Sequence, residues 1–239
     1  MGGMSDKQQQ IAAWTAEYAE GGIPSSVRDT PSGAVVWAVG ELKRLQFPLR
    51  EALDLGCGKG RNSLFLAEQN AHVTAMDFTP NAIEQLQTEA EKRRLTPLIR
   101  ALVQDVTEPL PIAPESMDLV IDAFCFKHIA PHEARMAYRA NLLRALRSRG
   151  HFLISFASIG DGYYGQYVVE KTSAEEHLAV DPDLGVESVV YTRDAVLKFF
   201  APELQLFAEL QNNKPSVMHG KEYQRKTYAL LLQRNPHMI

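Results

Sequence analysis

Three alternating glycines lie between a short apolar run and a helical pattern, and this arrangement suits the binding of a nucleotide-like ligand. Residues 52–55 predict a buried strand, and Gly56, Gly58 and Gly60 follow it directly. Helical spacing of apolar residues begins again at Leu64. Strand, glycine turn and helix form the first half of a βαβ unit, in which the glycine backbone can lie close against a ligand.

The spacing of these glycines differs from that of a dinucleotide site. Such a site has the pattern G-x-G-x-x-G, whereas this chain has G-x-G-x-G, with Arg61 where the third glycine would fall. Asp54 also precedes the first glycine. A carboxylate there would repel a pyrophosphate but suits a ligand that carries an ammonium and a sulfonium. A pyridine-dinucleotide oxidoreductase is therefore disfavoured.

The sequence Asp-Leu-Gly-Cys-Gly-Lys-Gly over residues 54–60 resembles the first motif of class I S-adenosylmethionine (SAM) methyltransferases. The resemblance covers about residues 10–156. It implies SAM as the cofactor and an α/β fold, a three-layer sandwich around a seven-stranded, mostly parallel sheet of order 3-2-1-4-5-7-6 whose last strand is antiparallel. It also implies a set of cofactor-binding residues, which are Trp14, Tyr18, Asp54, Gly56, Cys57, Gly58, Gly60, Asp77, Phe78, Asp105, Val106 and Asp122.

Three carboxylates of this set have expected partners, although each is also a residue type common at strand ends and turns. Asp77 ends the second predicted strand, where its oxygens can accept hydrogen bonds from two ribose hydroxyls. In the family, an acid at the position of Asp105 accepts from the adenine amino group while Val106 packs by the ring. Asp54 is expected near the methionine amino group.

Other residues around the glycines have weaker assignments. The resemblance implies a small residue at Cys57, which we interpret as a space-filler and not a nucleophile. Lys59 and Arg61 are either solvated or near the methionine carboxylate. Trp14 and Tyr18, followed by glycine and proline, resemble the N-terminal segment of thiopurine-type methyltransferases, whose aromatic residues close over the cofactor.

The segment 117–129 is expected to border the transferred methyl group. Methyltransferases of DNA and protein amides carry Asn/Asp-Pro-Pro-Tyr/Phe here, and Asp-Ala-Phe-Cys over residues 122–125 argues against those substrates. The candidate catalytic residues are Asp122 and His128. A base is needed only if the nucleophile arrives protonated, and His128 is a candidate because imidazole titrates near neutral pH, although it is also a common turn and packing residue.

Two finer patterns point to a branch of the family. Residues 58–67 resemble tellurite methyltransferases, and Asp-Leu-Val-Ile-Asp over residues 118–122 is similar to the thiopurine and thiol/halide enzymes. From residue 157 onward the sequence departs from all three groups. Tyr163, Tyr164 and Tyr167 either line a pocket there or form a surface flap.

The remaining pattern places these residues on a regular frame. Strands are predicted at 71–77, 98–103, 117–122 and 151–156, with helices between them, and this alternation favours a parallel sheet. Helices are also predicted at 7–19 and 32–45, and Thr79 is predicted to cap the helix that follows it. Two strands, 204–210 and 227–232, are expected to close the sheet around a solvated basic turn at 214–226.

Composition limits the class of protein. The chain has 239 residues, 45% hydrophobic and 23% charged, a net charge of −4 and two cysteines. We predict a cytoplasmic protein, monomer or homodimer, because cysteines are few, residues 1–6 lack a signal-peptide core and no apolar run suggests a membrane span. The acidic balance disfavours nucleic acid as a partner, and no cluster has metal-ligand spacing, so no metal is expected.

The combined prediction is a single methyltransferase domain over residues 1–239, with a cap built from residues 1–30 and an excursion at 157–190. It would transfer a methyl group from SAM to a heteroatom of a small molecule. One alternative is a methyltransferase of RNA or protein. Another is a SAM-binding protein without transferase activity, since a fold alone does not establish chemistry.

Overall fold

The computed structural model describes residues 6–235, in which helices and strands alternate from residue 51 to residue 157. The helices are α1 (Asp6–Glu20), α2 (Pro24–Val27), α3 (Gly33–Arg44), α4 (Arg61–Glu68), α5 (Pro80–Lys92), α6 (His132–Ala145) and α7 (Arg193–Phe200). The strands are β1 (Glu51–Leu55), β2 (His72–Asp77), β3 (Ile99–Val103), β4 (Met117–Ala123), β5 (Leu146–Ala157), β6 (Val168–Glu170), β7 (Glu176–Val180), β8 (Glu187–Tyr191), β9 (Leu204–Met218) and β10 (Lys221–Arg234).

Seven of these strands form one mixed sheet of order β3-β2-β1-β4-β5-β10-β9. The first five are parallel, and β10 runs antiparallel to both β5 and β9. With the three strands of the second sheet left out of the numbering, this is the predicted order 3-2-1-4-5-7-6, and the predicted fold class is confirmed. The carboxyl ends of β1, β2 and β4 therefore lie side by side at one edge, where open α/β sheets bind ligands.

Alternate residues of the sheet face two helical layers. On one face, Ala52 and Leu119 pack against apolar residues of α3 and α4. On the other face, Leu53 and Val120 pack against α6 and α7, including Tyr138. This two-sided burial explains why the parallel strands read as continuous apolar runs.

The excursion at 157–190 is largely ordered as a second, antiparallel sheet of β6, β7 and β8, which sequence analysis did not predict. A separate apolar cluster joins this sheet to the N-terminal segment and to the β9–β10 hairpin, and it includes Trp14, Tyr163, Tyr164 and Met218. Residues 1–5 of the predicted cap lie outside the described residues.

Two local predictions need correction. Residues 214–226 are not a solvated turn, because β9 and β10 stay paired through them from Lys214 to Arg225 and reverse only between Met218 and Lys221. Thr79 stands at the N-cap of α5 but caps no backbone amide with its side chain. Its hydroxyl donates to Asp77 instead.

Within the described residues, no helix combines the length and the apolar character that crossing a membrane requires.

Candidate active site

The glycine loop between β1 and α4 is built by backbone in the left-handed region. Gly56, Gly58 and Gly60 have φ values of 68°, 54° and 81°. A Cβ at Gly60 would collide with Leu86 of α5, so this glycine serves the packing of helix against loop and does not line the cavity. A Cβ at Gly58 would meet the Tyr18 ring, with the hydroxyl oxygen at 2.9 Å.

Asp77 holds the loop in place from the neighbouring strand. One of its carboxylate oxygens accepts the Gly58 amide at 2.9 Å, and the other accepts the Thr79 amide at 2.9 Å and the Thr79 hydroxyl. Burial raises the pKa of Asp77, although these donors and the nearby Tyr18 hydroxyl oppose the shift. The side chain is 3% exposed and lines a cavity.

Asp54 lies beneath the loop and carries an unusual buried atom. Its Oδ2 accepts the Ser63 hydroxyl at 2.6 Å, whereas Oδ1 is buried without a hydrogen-bond partner among the described residues. Burial raises the pKa of Asp54 to about 7, against the effects of the Ser63 hydrogen bond and the Arg61 charge. A buried acceptor without a donor is costly, so an additional donor beside Asp54 would be stabilising.

A cavity of about 460 Å³ opens at the carboxyl ends of β1, β2 and β4. This volume is within the usual range of small-molecule sites. Its floor is formed by the glycine loop, by Asp77 and Phe78 at the end of β2, and by residues 123–125 after β4. Its roof comes from α1, from the segment 23–34 and from the β9–β10 hairpin.

Trp14 and Tyr18 lie side by side in this roof, with ring centroids 5.7 Å apart. Trp14 also packs edge-on against His128 at 4.8 Å. The two N-terminal aromatic residues are thus placed over the strand ends, where the sequence predicted them.

A buried polar chain lies along the wall beyond these rings. Lys127 Nζ donates to Ser188 Oγ at 3.0 Å, and Ser188 Oγ lies 3.2 Å from His128 Nδ1. The same Nδ1 lies 3.2 Å from the Glu187 carbonyl oxygen. Because a carbonyl only accepts, this contact assigns the proton of the neutral ring to Nδ1 and leaves the Nε2 lone pair available.

Burial and the adjacent Lys127 lower the pKa of His128 well below its usual value. The imidazole is therefore neutral at pH 7. Both His128 and Lys127 line the cavity, so an unprotonated nitrogen is available there to accept a proton.

Asp122 does not face the cavity, which corrects its prediction as a site residue. It is fully buried, and its oxygens accept hydrogen bonds from the Cys125 amide at 2.8 Å, the Phe126 amide at 2.9 Å and the Tyr138 hydroxyl at 2.7 Å. Burial raises its pKa to about 7. The side chain lies on the α6 side of the sheet and anchors the turn that carries the cavity wall.

Asp105 and Val106 also lie outside the cavity lining. Asp105 pairs with Lys7 of α1 at 2.8 Å and accepts hydrogen bonds from the Thr107 amide and hydroxyl. The N-terminal helix thus covers the end of β3, which the sequence had assigned to adenine binding.

The two cysteines are placed as fillers. Cys57 and Cys125 are both free thiols, and burial raises the pKa of each well above its usual value. The side chain of Cys125 occupies the space beside Gly56, where a Cβ would come within 2.5 Å of it. Neither environment favours the reactive thiolate.

One group of potential metal ligands is brought together by the fold, although the sequence spacing did not indicate it. One ligand atom each of Asp181, Asp183 and His219 lies within 4.8 Å of the others. Asp181 already accepts hydrogen bonds from two backbone amides and from the Tyr163 hydroxyl. The group therefore has an evident structural role at the tip of the β9–β10 hairpin.

Sequence reasoning missed most of the cationic lining of the cavity. Arg61 had been left undecided and lines the cavity beside the glycine loop, while Lys214 and Arg225 had been assigned to a solvated turn. Lys127 is 2% exposed, a burial that nothing in its sequence context signals. The positions of the two hairpin cations depend on the register of β9 and β10, which alternation in the sequence would have indicated only if both strands had been extended.

Comparison with known proteins agrees with this architecture. Residues 52–150, from the start of β1 into β5, match a family model described as a methyltransferase domain. The chain is 25% identical over 180 residues to (S)-coclaurine N-methyltransferase from Thalictrum flavum subsp. glaucum, a match that covers 72% of this chain and 44% of that protein. The chain thus spans less than half the length of this curated relative.

Solved structures show the same fold over nearly the whole chain. The 1,6-didemethyltoxoflavin-N1-methyltransferase of Burkholderia thailandensis, solved with 1,6-didemethyltoxoflavin and S-adenosylhomocysteine, has a TM-score of 0.71 at 17% identity and covers 98% of this chain and 93% of its own. A putative sarcosine dimethylglycine methyltransferase from Galdieria sulphuraria has a TM-score of 0.64 at 13% identity, covering 85% of each chain. The chain therefore has the class I, Rossmann-like methyltransferase fold, whereas its place in the tellurite and thiopurine branch stays a prediction.

Proposed function

We propose that this protein is a SAM-dependent methyltransferase that acts on a heteroatom of a small molecule. The observation that carries this proposal is the glycine loop after β1, fixed by Asp77 of β2 and opening on a cavity at the strand carboxyl ends. Similarity of residues 52–150 to methyltransferase domains supports it. A roofed cavity of about 460 Å³ suits a small acceptor better than a folded protein or a nucleic acid duplex.

The residues present fit such a cofactor. Gly58 presents bare backbone to the cavity, Asp77 supplies a carboxylate for hydroxyl donors, and the unpartnered Oδ1 of Asp54 suits an ammonium near the loop. Arg61, beside the loop, suits a carboxylate. When bound, SAM supplies a methyl group on a sulfonium, which is an activated leaving group.

The chain's own contribution is to orient, to exclude water and to accept a proton. Placing an acceptor in line within a closed cavity can supply most of the rate enhancement. Trp14 and Tyr18 cover the cavity from the N-terminal side, and their faces favour a nearby cation by roughly 0.5–2 kcal/mol. For acceptors that arrive protonated, His128 Nε2 is the base we propose, with Nδ1 oriented by the Glu187 carbonyl.

Isothermal titration calorimetry with SAM, S-adenosylhomocysteine and NAD tests the cofactor assignment. We expect binding of the first two and none of NAD. Tight NAD binding without a SAM signal would refute the proposal. Release of S-adenosylhomocysteine across a panel of thiols, phenols, amines and oxyanions then separates a transferase from a protein that only binds SAM, and bulk RNA or protein as the sole acceptor would overturn the small-molecule assignment.

A further inference from the structure

The charge of the cavity is opposite to that of the chain. The chain has a net charge of −4. The described cavity lining contributes five cationic side chains, Arg28, Arg61, Lys127, Lys214 and Arg225, against the carboxylate of Asp77. A cavity with this excess of positive charge attracts anionic ligands, which SAM, with its sulfonium and ammonium, does not match.

Most of these cations have an evident compensation. Arg225 donates from Nε to both oxygens of Asp161 at 2.9 Å. Arg28 and Lys214 are exposed, so water screens them. Arg61 lies at the first position of α4 beside the glycine loop, and we assign it to the cofactor end of the cavity. Lys127 is left without an equivalent compensation.

Lys127 is almost completely buried, and its side chain enters no ion pair among the described residues. Its ammonium donates one hydrogen bond, to Ser188 Oγ, and lies 3.7 Å from the centre of the Tyr164 ring. Burial and the charge of Arg225 lower its pKa well below the usual value, although Asp161 and Asp181 oppose this shift. A buried lysine with one acceptor for three donors is unstable in its charged form unless a further anion lies nearby.

A second unsatisfied polar group faces the same cavity. Ser155 of β5 lines it, is 2% exposed, and its hydroxyl has no hydrogen-bond partner among the described residues. Aromatic surfaces of Trp14 and Tyr164 form part of the wall around these groups. The lining thus combines unsatisfied donors with flat apolar surface.

We propose that the methyl acceptor is a small aromatic acid whose carboxylate is held by Lys127. This inference rests on the proposed function and adds the substrate class to it. The carboxylate supplies the acceptor that the ammonium lacks, while the ring of the acid packs against the aromatic wall. Lys127 is then a specificity-determining residue, and proton acceptance is left to His128.

Matched acid and amide pairs test the proposal without any variant. Benzoate with benzamide, and the 2-, 3- and 4-hydroxybenzoates with their amides, are titrated by calorimetry into protein saturated with S-adenosylhomocysteine and into the free protein. At least one acid is expected to bind at least about tenfold more tightly than its amide, which corresponds to 1.4 kcal/mol. If every amide binds as well as its acid, the proposal is wrong.

The variant Lys127→Met assigns the preference to this residue. Methionine keeps the length and apolar stem of lysine, so the melting temperature should not fall. Lys198→Met, which removes an exposed lysine of α7 outside the lining, is the matched control. Lys127→Met should abolish the preference for acid over amide and leave the affinity for S-adenosylhomocysteine unchanged, while the control keeps both.

The other outcomes are equally informative. If Lys127→Met binds the acids as wild type does but turns over more slowly, Lys127 acts on a proton and the proposal is overturned. If the variant fails to fold, the acid and amide comparison on the wild type still decides the acceptor's charge. A protein that binds no S-adenosylhomocysteine refutes the proposed function separately, because the titrations into free protein still report on anion binding.

Discussion

The Tyr18 ring lies directly over Gly58, so that a Cβ built on this glycine would be 2.9 Å from the tyrosine hydroxyl. The two residues are 40 positions apart and meet only because α1 returns over the carboxyl end of β1. A side chain of the N-terminal segment therefore covers the backbone that we propose for cofactor binding. Tyr18 has to change its position when a ligand occupies that backbone.

Substitution of Gly58 by alanine should reduce cofactor affinity with little effect on folding. The residue has a φ of 54° and no room for a Cβ on the cavity side, so the variant strains the loop where ligand and backbone approach. We expect the affinity for S-adenosylhomocysteine, measured by calorimetry, to fall at least about tenfold. Gly165→Ala is the matched control, because Gly165 has open space around it. Equal affinities in both variants would contradict the prediction.

Asp77→Ala should also weaken cofactor binding at least about tenfold, since each charge-assisted hydrogen bond contributes roughly 1.5–3 kcal/mol before water compensates. The carboxylate also fixes the loop through the Gly58 amide, so a control must separate the two effects. Thr79→Val removes the hydroxyl donated to Asp77 at a buried position outside the lining. It should lower the melting temperature and leave cofactor affinity nearly intact. An unchanged dissociation constant for Asp77→Ala would make Asp77 a turn residue only.

Asp122→Asn should destabilise the fold and not remove a catalytic group. Three donors converge on this carboxylate, and an amide would direct its own hydrogens at one of them. We expect the free energy of unfolding, from urea titration, to fall by about 1–3 kcal/mol. Tyr138→Phe, which removes one of these donors, should have a smaller effect of the same sign. A variant as stable as wild type that binds the cofactor and yet turns nothing over would restore the catalytic assignment.

His151 should make stability depend on pH in acid. Its ring lies edge-on to Phe47 and Phe207 at 4.7 and 5.3 Å, and burial lowers its pKa to about 4. Between about 6.5, the unfolded pKa, and 4, the unfolded chain takes up a proton that the folded chain refuses, so this group lowers stability as pH falls. His151→Leu should therefore gain on wild type by at most about 1.4 kcal/mol per pH unit over this window.

The comparison of the two proteins isolates the histidine. Burial raises the pKa of Asp54 and of Asp122 to about 7, and raised carboxyl pKa values act with the opposite sign, making the fold less stable as pH rises towards 7. Both proteins share these groups, so they cancel in the difference between variant and wild type. A difference that stays constant from pH 7 to pH 4.5 would show that His151 is hydrated and not buried as described.

Removal of residues 1–22 should weaken cofactor binding while the main sheet keeps a cooperative melt. Trp14 belongs to a cluster separate from the two that cover the sheet, so its loss opens the cavity without uncovering the central strands. Binding by calorimetry and melting by circular dichroism measure the two effects. A truncated protein without a cooperative transition would place this segment in the core and contradict its description as a cap.

The frame of this fold could be predicted because its signals are local. Each parallel strand is a short apolar run, and each helix shows its own period, as in residues 71–77 and 80–92. The ends of the strands identified Asp77 correctly as a cavity residue. The direction of Asp122 could not be predicted, since it depends on which face of β4 meets Tyr138 of α6.

The roof of the cavity could not be predicted because its contacts are distant in sequence. Lys7 reaches Asp105, and Lys127 meets Ser188, 61 residues further on. No periodicity encodes such pairs. The short strands β6 to β8 carry little pattern of their own, and their sheet is defined by pairing with each other.

The position of β10 has a consequence for the nascent chain. β5 is paired on one side by β4 and on the other only by β10, the last of the described strands to leave the ribosome. Until residues 221–234 emerge, the apolar strand from Phe152 to Phe156 has a free edge, and β9, which is made first, must be kept from taking that place. Unpaired apolar edges promote association between chains. Synthesis of this protein therefore includes an interval in which chaperone protection of one strand decides between folding and aggregation.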